Sequence, residues 1–290
     1  LGEDEGLPAA FEIVVDGALA GAQTSTAGTL IVIDRATGAI DFRPGGPTTV
    51  RFDGLPAGDK HIEVWLPHAA VVRLLAMRAD GRVAPASQQG RRWVHYGSSI
   101  SHCLEAERPT GVWPAVAARL AGVDLQSFAF AGQCQLDPFA GRMIAAQPAD
   151  LISLKLGINI VNADSMRERP FVPAVHGLLD TIRERHPAAP VVVITPIVCP
   201  VAEEHPGPTV VGGDGQCAVV ERPPALALGA LTLQRIREAR IRGRRRPPLR
   251  RRRQPPSRTG PRTLRHRRPR RHPRRTPPQR RRLPPHGRAV

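Results

Sequence analysis

Aromatic residues are scarce: seven Phe, three Trp and one Tyr in 290 residues. No run of apolar residues reaches the length that crosses a bilayer, and no signal-peptide pattern opens the chain. That excludes a helical membrane protein and predicts a cytoplasmic one. The chain starts at Leu1 rather than methionine, so secretion stays open. Only four cysteines occur, Cys103, Cys134, Cys199 and Cys217, with no C-x-x-C pair and no metal-ligand spacing to histidine. This pattern speaks against a structural zinc site and predicts idle or buried thiols, with a disulfide left open. The sharpest absence is local. Residues 240–290 hold no Asp, Glu or Lys, yet carry 22 arginines.

That last absence dissolves the formal net charge of +17 into two unlike parts. The other 239 residues hold 20 basic and 25 acidic side chains, a mildly acidic balance typical of a globular body. The basic character belongs to the tail alone. The body is long enough for one large domain or two modest ones with a sizeable core.

Residues 11–78 are rich in Val and Ile in short runs: Phe11–Asp16, Thr29–Asp34, Ala39–Arg43, Thr48–Phe52, Lys60–Leu66 and Val71–Arg78. Turn chemistry separates them, at Ala36-Thr37-Gly38, Pro44-Gly45-Gly46-Pro47 and Pro56-Ala57-Gly58-Asp59. Close-spaced strands with no helix between them predict a small antiparallel β-sandwich or jelly roll over residues 1–88. With Trp65 as its single tryptophan, the module suits a packing role better than a carbohydrate-binding one. Residues 79–91 are polar and contain Gly and Pro, and they predict a linker.

From Arg92 the period changes. Strands are expected at Arg92–Tyr96, Asp124–Phe130, Leu151–Leu156 and Val191–Thr195. Helices are expected at Val112–Leu120, Phe139–Gln147, Phe171–His186 and Leu226–Ala239. Regular alternation predicts an α/β domain over residues 92–239, a doubly wound, flavodoxin-like parallel sheet with helices on both faces. Ligands of such sheets bind beyond the carboxyl ends of the strands.

Three strand ends carry residues suited to one chemistry. Gly97-Ser98-Ser99 ends the first, and its glycine permits the sharp turn that mounts a serine nucleophile. Gly132 follows the second strand, and Gly157-Ile158-Asn159 follows the third. Acyl transfer through serine needs donors aimed at the oxygen that becomes negative, and a backbone N–H at glycine and an asparagine amide both qualify. Taken singly, Gly132 reads as a turn glycine and Asn159 as a helix cap. Their order at successive strand ends is harder to dismiss.

These blocks, Gly97-Ser98-Ser99-Ile100-Ser101, Gly132 and Gly157-Ile158-Asn159, resemble those of the SGNH/GDSL hydrolase family over roughly residues 92 to 239. Ser98 stands where many members have Asp. The resemblance implies esterase or acyltransferase chemistry, with Ser99 as nucleophile and its own N–H, the Gly132 N–H and the Asn159 amide holding the oxyanion. It implies a small-molecule or carbohydrate ester as substrate, and no metal or organic cofactor. Some members also carry an N-terminal β-sandwich.

The family's fourth block, Asp-x-x-His near the C-terminus, is missing. His266, His272 and His286 have no Asp three residues earlier. Glu203-Glu204-His205-Pro206 has the wrong spacing and reads as a loop. His95 is expected to point away from the Ser99 turn or into the core, His102 to start a helix, and His176 and His186 to belong to the long helix. One explanation for the tail is a frame slip near Arg240 in GC-rich coding DNA, which yields Arg and Pro when misread. Arg274 to Arg280 can be encoded as cga-cgg-act-cca-ccc-caa-cgc; dropping the first base gives Asp-Gly-Leu-His-Pro-Asn, a block of the missing kind. On this reading the tail is disordered and the chain's activity is impaired. The alternative is a genuine basic arm that binds nucleic acid or another polyanion without sequence preference, since it lacks aromatics to stack on bases.

Overall fold

The computed structural model describes residues 8–34, 37, 39–87, 90–212 and 216–239. The tail 240–290, expected to be disordered, lies outside the described residues.

The N-terminal part is antiparallel. Strand β1 (Ala9–Val15) lies between β2 (Ala18–Ser25) and a later strand, β5 (Ile62–Trp65), while β3 (Leu30–Ile33) and β4 (Ile40–Arg43) pair as a separate hairpin. The β1–β2 hairpin turns on Asp16 and Gly17, both at positive φ, the Asp-Gly turn whose twist matches paired strands. Two expectations are corrected here: residues 48–52 and 71–78 form no strand. Strand β2 occupies a stretch to which the sequence pattern assigns no element. The alternation Ala-Leu-Ala-Gly-Ala in β2 is too weakly apolar to register as a strand, and pairing with β1 imposes the conformation. Over 71–78, Val71, Leu74, Leu75 and Met77 stand exposed in irregular chain.

The α/β part follows the expected alternation. Strand β6 (Arg91–Gly97) leads through α1 (Ser99–His102), a 3-10 turn at Pro109–Gly111 and α2 (Trp113–Ala121) to β7 (Val123–Ala129). Next come α3 (Pro138–Ala146), β8 (Leu151–Lys155), α4 (Ile158–Asn162), α5 (Glu168–Arg185) and β9 (Val191–Ile194). A hairpin of β10 (Thr209–Val211) and β11 (Cys217–Val219) precedes α6 (Leu233–Glu238). The helix expected over Leu226–Ala239 is a 3-10 turn at Pro224–Ala227 followed by the short α6. Thr232 sets where α6 begins, because its hydroxyl accepts the Arg235 N–H and caps the first turn.

The four α/β strands are parallel in the order β7-β6-β8-β9. Chain direction across the sheet reverses at β6: one crossover carries the chain to β7 on one side, the next to β8 on the other. Residues alternate along β6, so Val94 and Tyr96 face one way and Trp93 and His95 the other. On the Tyr96 side, Ile152 and Leu154 of β8 meet α3 through Ile144 and α5 through Phe171, Val175, Leu178 and Ile182. The four α5 residues recur at the spacing that makes one helical stripe. On the other side Trp113, the first residue of α2, stacks edge-on against His95, ring centroids 5.1 Å apart.

The N-terminal sheet is tied to the α/β part through buried Glu12 of β1. Its Oε2 accepts the Thr110 N–H at 2.9 Å in the 3-10 turn between α1 and α2.

Candidate active site

Ser99 opens α1 directly beyond β6, at the point where the strand order reverses. Clefts at such points are where doubly wound sheets take ligands. Ser98 is the buried N-cap, and its Oγ accepts the Ile100 N–H at 3.3 Å. With Ser98 turned inward as the cap, Ser99 is exposed at the start of the helix. Gly97 is required by close approach: a Cβ there would lie 2.2 Å from Ser101 Oγ and 3.1 Å from His95 Nε2.

The neighbouring strand ends lie alongside. Gly97 is in register with Ala129 of β7, and the Phe130 N–H continues the ladder to the Gly97 carbonyl at 2.8 Å. Gly132 comes two residues later in an exposed turn, at φ +72°. On the other side Tyr96 is in register with Leu154 of β8. Two residues beyond the end of that strand, Gly157 adopts φ +112°, and a Cβ there would lie 2.9 Å from Ile236 of α6. Only glycine fits both the backbone angle and the packing. Asn159 follows in α4, 3% exposed. Ser99, Gly132 and Asn159 therefore sit at the carboxyl ends of three adjoining strands.

Asn159 is held rather than merely placed. Its Oδ1 accepts the Cys134 N–H at 3.0 Å, which leaves the Nδ2 amide without a partner among the described residues. Its carbonyl accepts from Gln135 Nε2 at 3.1 Å, and Gln135 Oε1 accepts the Ser165 hydroxyl at 2.6 Å. The stretch 132–135 thus supplies the glycine turn and also orients the asparagine. Neither Cys134 nor Gln135 stood out in the sequence, since a backbone N–H leaves no residue-type signal.

Histidines are placed as follows. His95 is fully buried, as expected, with its ring bonded to Ser153 and Ser101. His102 ends α1 instead of starting a helix, because Ser98 takes the cap, and its Nε2 bonds the His68 carbonyl. His176 lies within α5 and His186 directly follows it. Glu203 pairs with Arg237 of α6, and His205 is exposed in the loop, as its spacing suggested. Among the described residues no histidine is paired with a carboxylate beside Ser99; the one His–carboxylate pair, His61 with Glu63, belongs to the N-terminal sheet.

Electrostatically the floor beneath α1 disfavours charge. Burial, with nearby Lys155 adding to it, pushes the His95 ring down to about 4. Burial also lowers Lys155, one of two lysines in the chain, whose Nζ has no hydrogen-bond partner. Burial raises the Cys134 thiol to about 11, so it is protonated at neutral pH and is no rival nucleophile. Among the described residues all four cysteines are free.

Residues 90–201 match the model of the GDSL-like lipase/acylhydrolase family. Among solved structures, the chain is similar to the salicylyl-acyltransferase SsfX3 from a tetracycline biosynthetic pathway. The two are 30% identical with a TM-score of 0.54, over 80% of this chain and 56% of that one. A family two carbohydrate esterase from Clostridium thermocellum, in complex with cellohexaose, is 16% identical with a TM-score of 0.47, over 67% of this chain and 66% of that one. One from Cellvibrio japonicus is 10% identical with a TM-score of 0.39, over 68% and 66%. The chain thus spans a little over half the length of the acyltransferase and just under two thirds of the esterases. No curated protein matches it. A parallel sheet in the order β7-β6-β8-β9, with the Gly-Ser-Ser, Gly and Gly-x-Asn blocks at successive strand ends, accounts for the match of residues 90–201 to the GDSL-like lipase/acylhydrolase family model.

Proposed function

We propose that the protein is a serine-dependent acyl ester hydrolase or acyltransferase working through an acyl-serine at Ser99. The observation that carries this reading is the arrangement of Asn159. Its Oδ1 is fixed by the Cys134 N–H, which leaves Nδ2 without a partner among the described residues. Asn159 and Ser99 both follow the carboxyl ends of paired strands, β8 and β6. Fixed donors of this kind stabilise charge as it develops, at no cost of reorganisation during the reaction.

In the proposed cycle Ser99 Oγ attacks the ester carbonyl and loses its proton to a base. The carbonyl oxygen becomes an oxyanion held by the Ser99 N–H, the Gly132 N–H and the Asn159 amide. Collapse breaks the ester C–O bond, and the departing alcohol takes up a proton. Water or a second alcohol then attacks the acyl-serine and regenerates Ser99. The 30% identity to an acyltransferase favours keeping both acceptors in view.

The base is the missing part. His95 has both ring nitrogens engaged, and the Asp-x-x-His block expected by resemblance is missing from the sequence, whose residues 240–290 hold no Asp. The chain as written is therefore expected to hydrolyse p-nitrophenyl acetate feebly or not at all. Restoring the reading frame of the tail should give turnover, and Ser99→Ala should then lower it by on the order of a thousandfold or more. Asn159→Ala should cost about a hundredfold or more in kcat. Brisk turnover by the unrepaired chain, or turnover that survives Ser99→Ala, overturns the assignment.

A further inference from the structure

Beneath the Ser99 turn lies a buried polar chain with no part in the proposed chemistry. Trp93 Nε1 donates to Ser153 Oγ at 2.8 Å. Ser153 Oγ lies 2.7 Å from His95 Nδ1, and His95 Nε2 lies 2.8 Å from Ser101 Oγ. His95, Ser153 and Ser101 are all at least 95% buried. The chain begins on β6, crosses to β8, returns to β6 and ends on α1, two residues beyond Ser99.

We infer that His95 is a positioning residue: a neutral imidazole that fastens α1, and with it Ser99, to the β6–β8 pair through Ser101 and Ser153. The inference rests on the assignment of Ser99 as nucleophile. A histidine so near a nucleophilic serine invites reading it as the base, but the geometry opposes this. In neutral imidazole one nitrogen donates and the other accepts, and here each already has a hydroxyl partner. Neither is left to take a proton from Ser99, and the ring has no access to solvent. A charged ring would also lie buried near the unpartnered ammonium of Lys155.

The need for such a fastening follows from the size of α1. A four-residue helix has few internal hydrogen bonds and cannot hold its own position. Its other attachments are the Ser98 cap and two bonds at its far side, Trp113 Nε1 to the Ile100 carbonyl at 2.8 Å and His102 Nε2 to the His68 carbonyl. Ile100 packs against the core, and Ser101 makes the only side-chain hydrogen bond from α1 to the sheet among the described residues. Gly97 belongs to the same device, because any larger residue would occupy the space of the Ser101 hydroxyl. A misplacement of about 1 Å at a nucleophile can cost on the order of a hundredfold in rate.

The test uses the full chain with 15N-labelled histidine. Between pH 5 and 8 the His95 ring should show one protonated and one bare, hydrogen-bonded nitrogen throughout. Ser101→Ala should shift both signals, whereas Ser99→Ala should leave them in place. Amide exchange at Ser101, His102 and Cys103 should quicken about tenfold or more in Ser101→Ala and return in Ser101→Thr, which keeps the hydroxyl. In the frame-restored chain, Ser101→Ala should lower kcat about tenfold or more with KM and the shape of the pH profile unchanged. A His95 that titrates near 6.5, or a Ser101→Ala variant with unaltered exchange and kcat, overturns the inference. Turnover that ignores Ser99→Ala sinks the acyl-serine assignment instead, and the ring signals and exchange rates then still decide whether His95 holds α1.

Discussion

The two faces of the parallel sheet are built from the same strands and solve different problems. The face of Val94, Tyr96, Ile152 and Leu154 is packed by α3 and α5 with apolar side chains almost throughout. On the face of Trp93, His95, Ser153 and Lys155 the last three are buried and Trp93 partly so, yet this face carries an imidazole, a hydroxyl and an ammonium. Burial of apolar area accounts for the first, at about 25 cal/mol per Å². Nothing comparable accounts for the second, where each polar group must find a partner or cost free energy. Stability thus resides on one face, while the other trades stability for the placing of α1. The comparison also explains why Ser99 can be exposed on so short a helix: the polar face below it acts as its anchor.

The largest effect should come from the apolar face. Phe171→Ala removes a fully buried ring from the stripe of α5 and should destabilise by about 3–5 kcal/mol, read from the denaturant midpoint. A loss below about 1 kcal/mol would mean that this face is not the core. The polar face should instead declare itself through pH. The His95 ring takes a proton at about 4 when folded and at 6.5 in the ordinary case. Between those values the unfolded chain binds more protons, so stability falls as pH falls from 6.5 towards 4, and is fully present above 6.5. The shift corresponds to roughly 3 kcal/mol. Urea titrations at pH 7 and pH 4.5 should show this loss in the native chain and a smaller one in His95→Gln. Equal losses in both would separate His95 from the acid sensitivity.

How much of this contrast was legible beforehand differs between the faces. Alternation along β6 sets His95 opposite Tyr96, and the expected helix over Phe171–His186 sets Leu178, Leu179 and Ile182 on one face. Of these, Leu178 and Ile182 join Phe171 and Val175 in the buried stripe of α5, while Leu179 is only partly buried. The three blocks at strand ends were legible because a parallel sheet brings consecutive carboxyl ends together whatever the loops do. The Asp16-Gly17 hairpin was written in the chain, but β2 is so poor in large apolar residues that its pattern concealed it. The partners of His95 were not legible at all. Ser153 lies 58 residues away and Ser101 only six, and neither separation carries a periodicity that marks contact. The same holds for Asn159, whose orientation depends on a main-chain N–H at Cys134. Sequence pattern reports which face a residue takes; which hydroxyl it meets is decided by register and helix placement.

Lys155 offers the finest test, because it separates polar groups that are partnered from one that is not. Its Nζ is buried and makes no hydrogen bond, and burial lowers its affinity for a proton. A cation whose folded value is depressed contributes full stability only above its ordinary value of 10.5, so at neutral pH it is a net cost. Lys155→Met keeps the length of the side chain and removes the charge, so it should be neutral or stabilise by about 1 kcal/mol. The corresponding change at a partnered position, Ser153→Ala, should destabilise by about 1–3 kcal/mol, because it strands Trp93 Nε1 and His95 Nδ1 together. Thermal melts of the two variants at pH 7 should therefore move in opposite directions or differ in size. If Lys155→Met were the more damaging, the ammonium would have to be satisfied in solution by an anion, and the polar face would be a binding surface as well as an anchor.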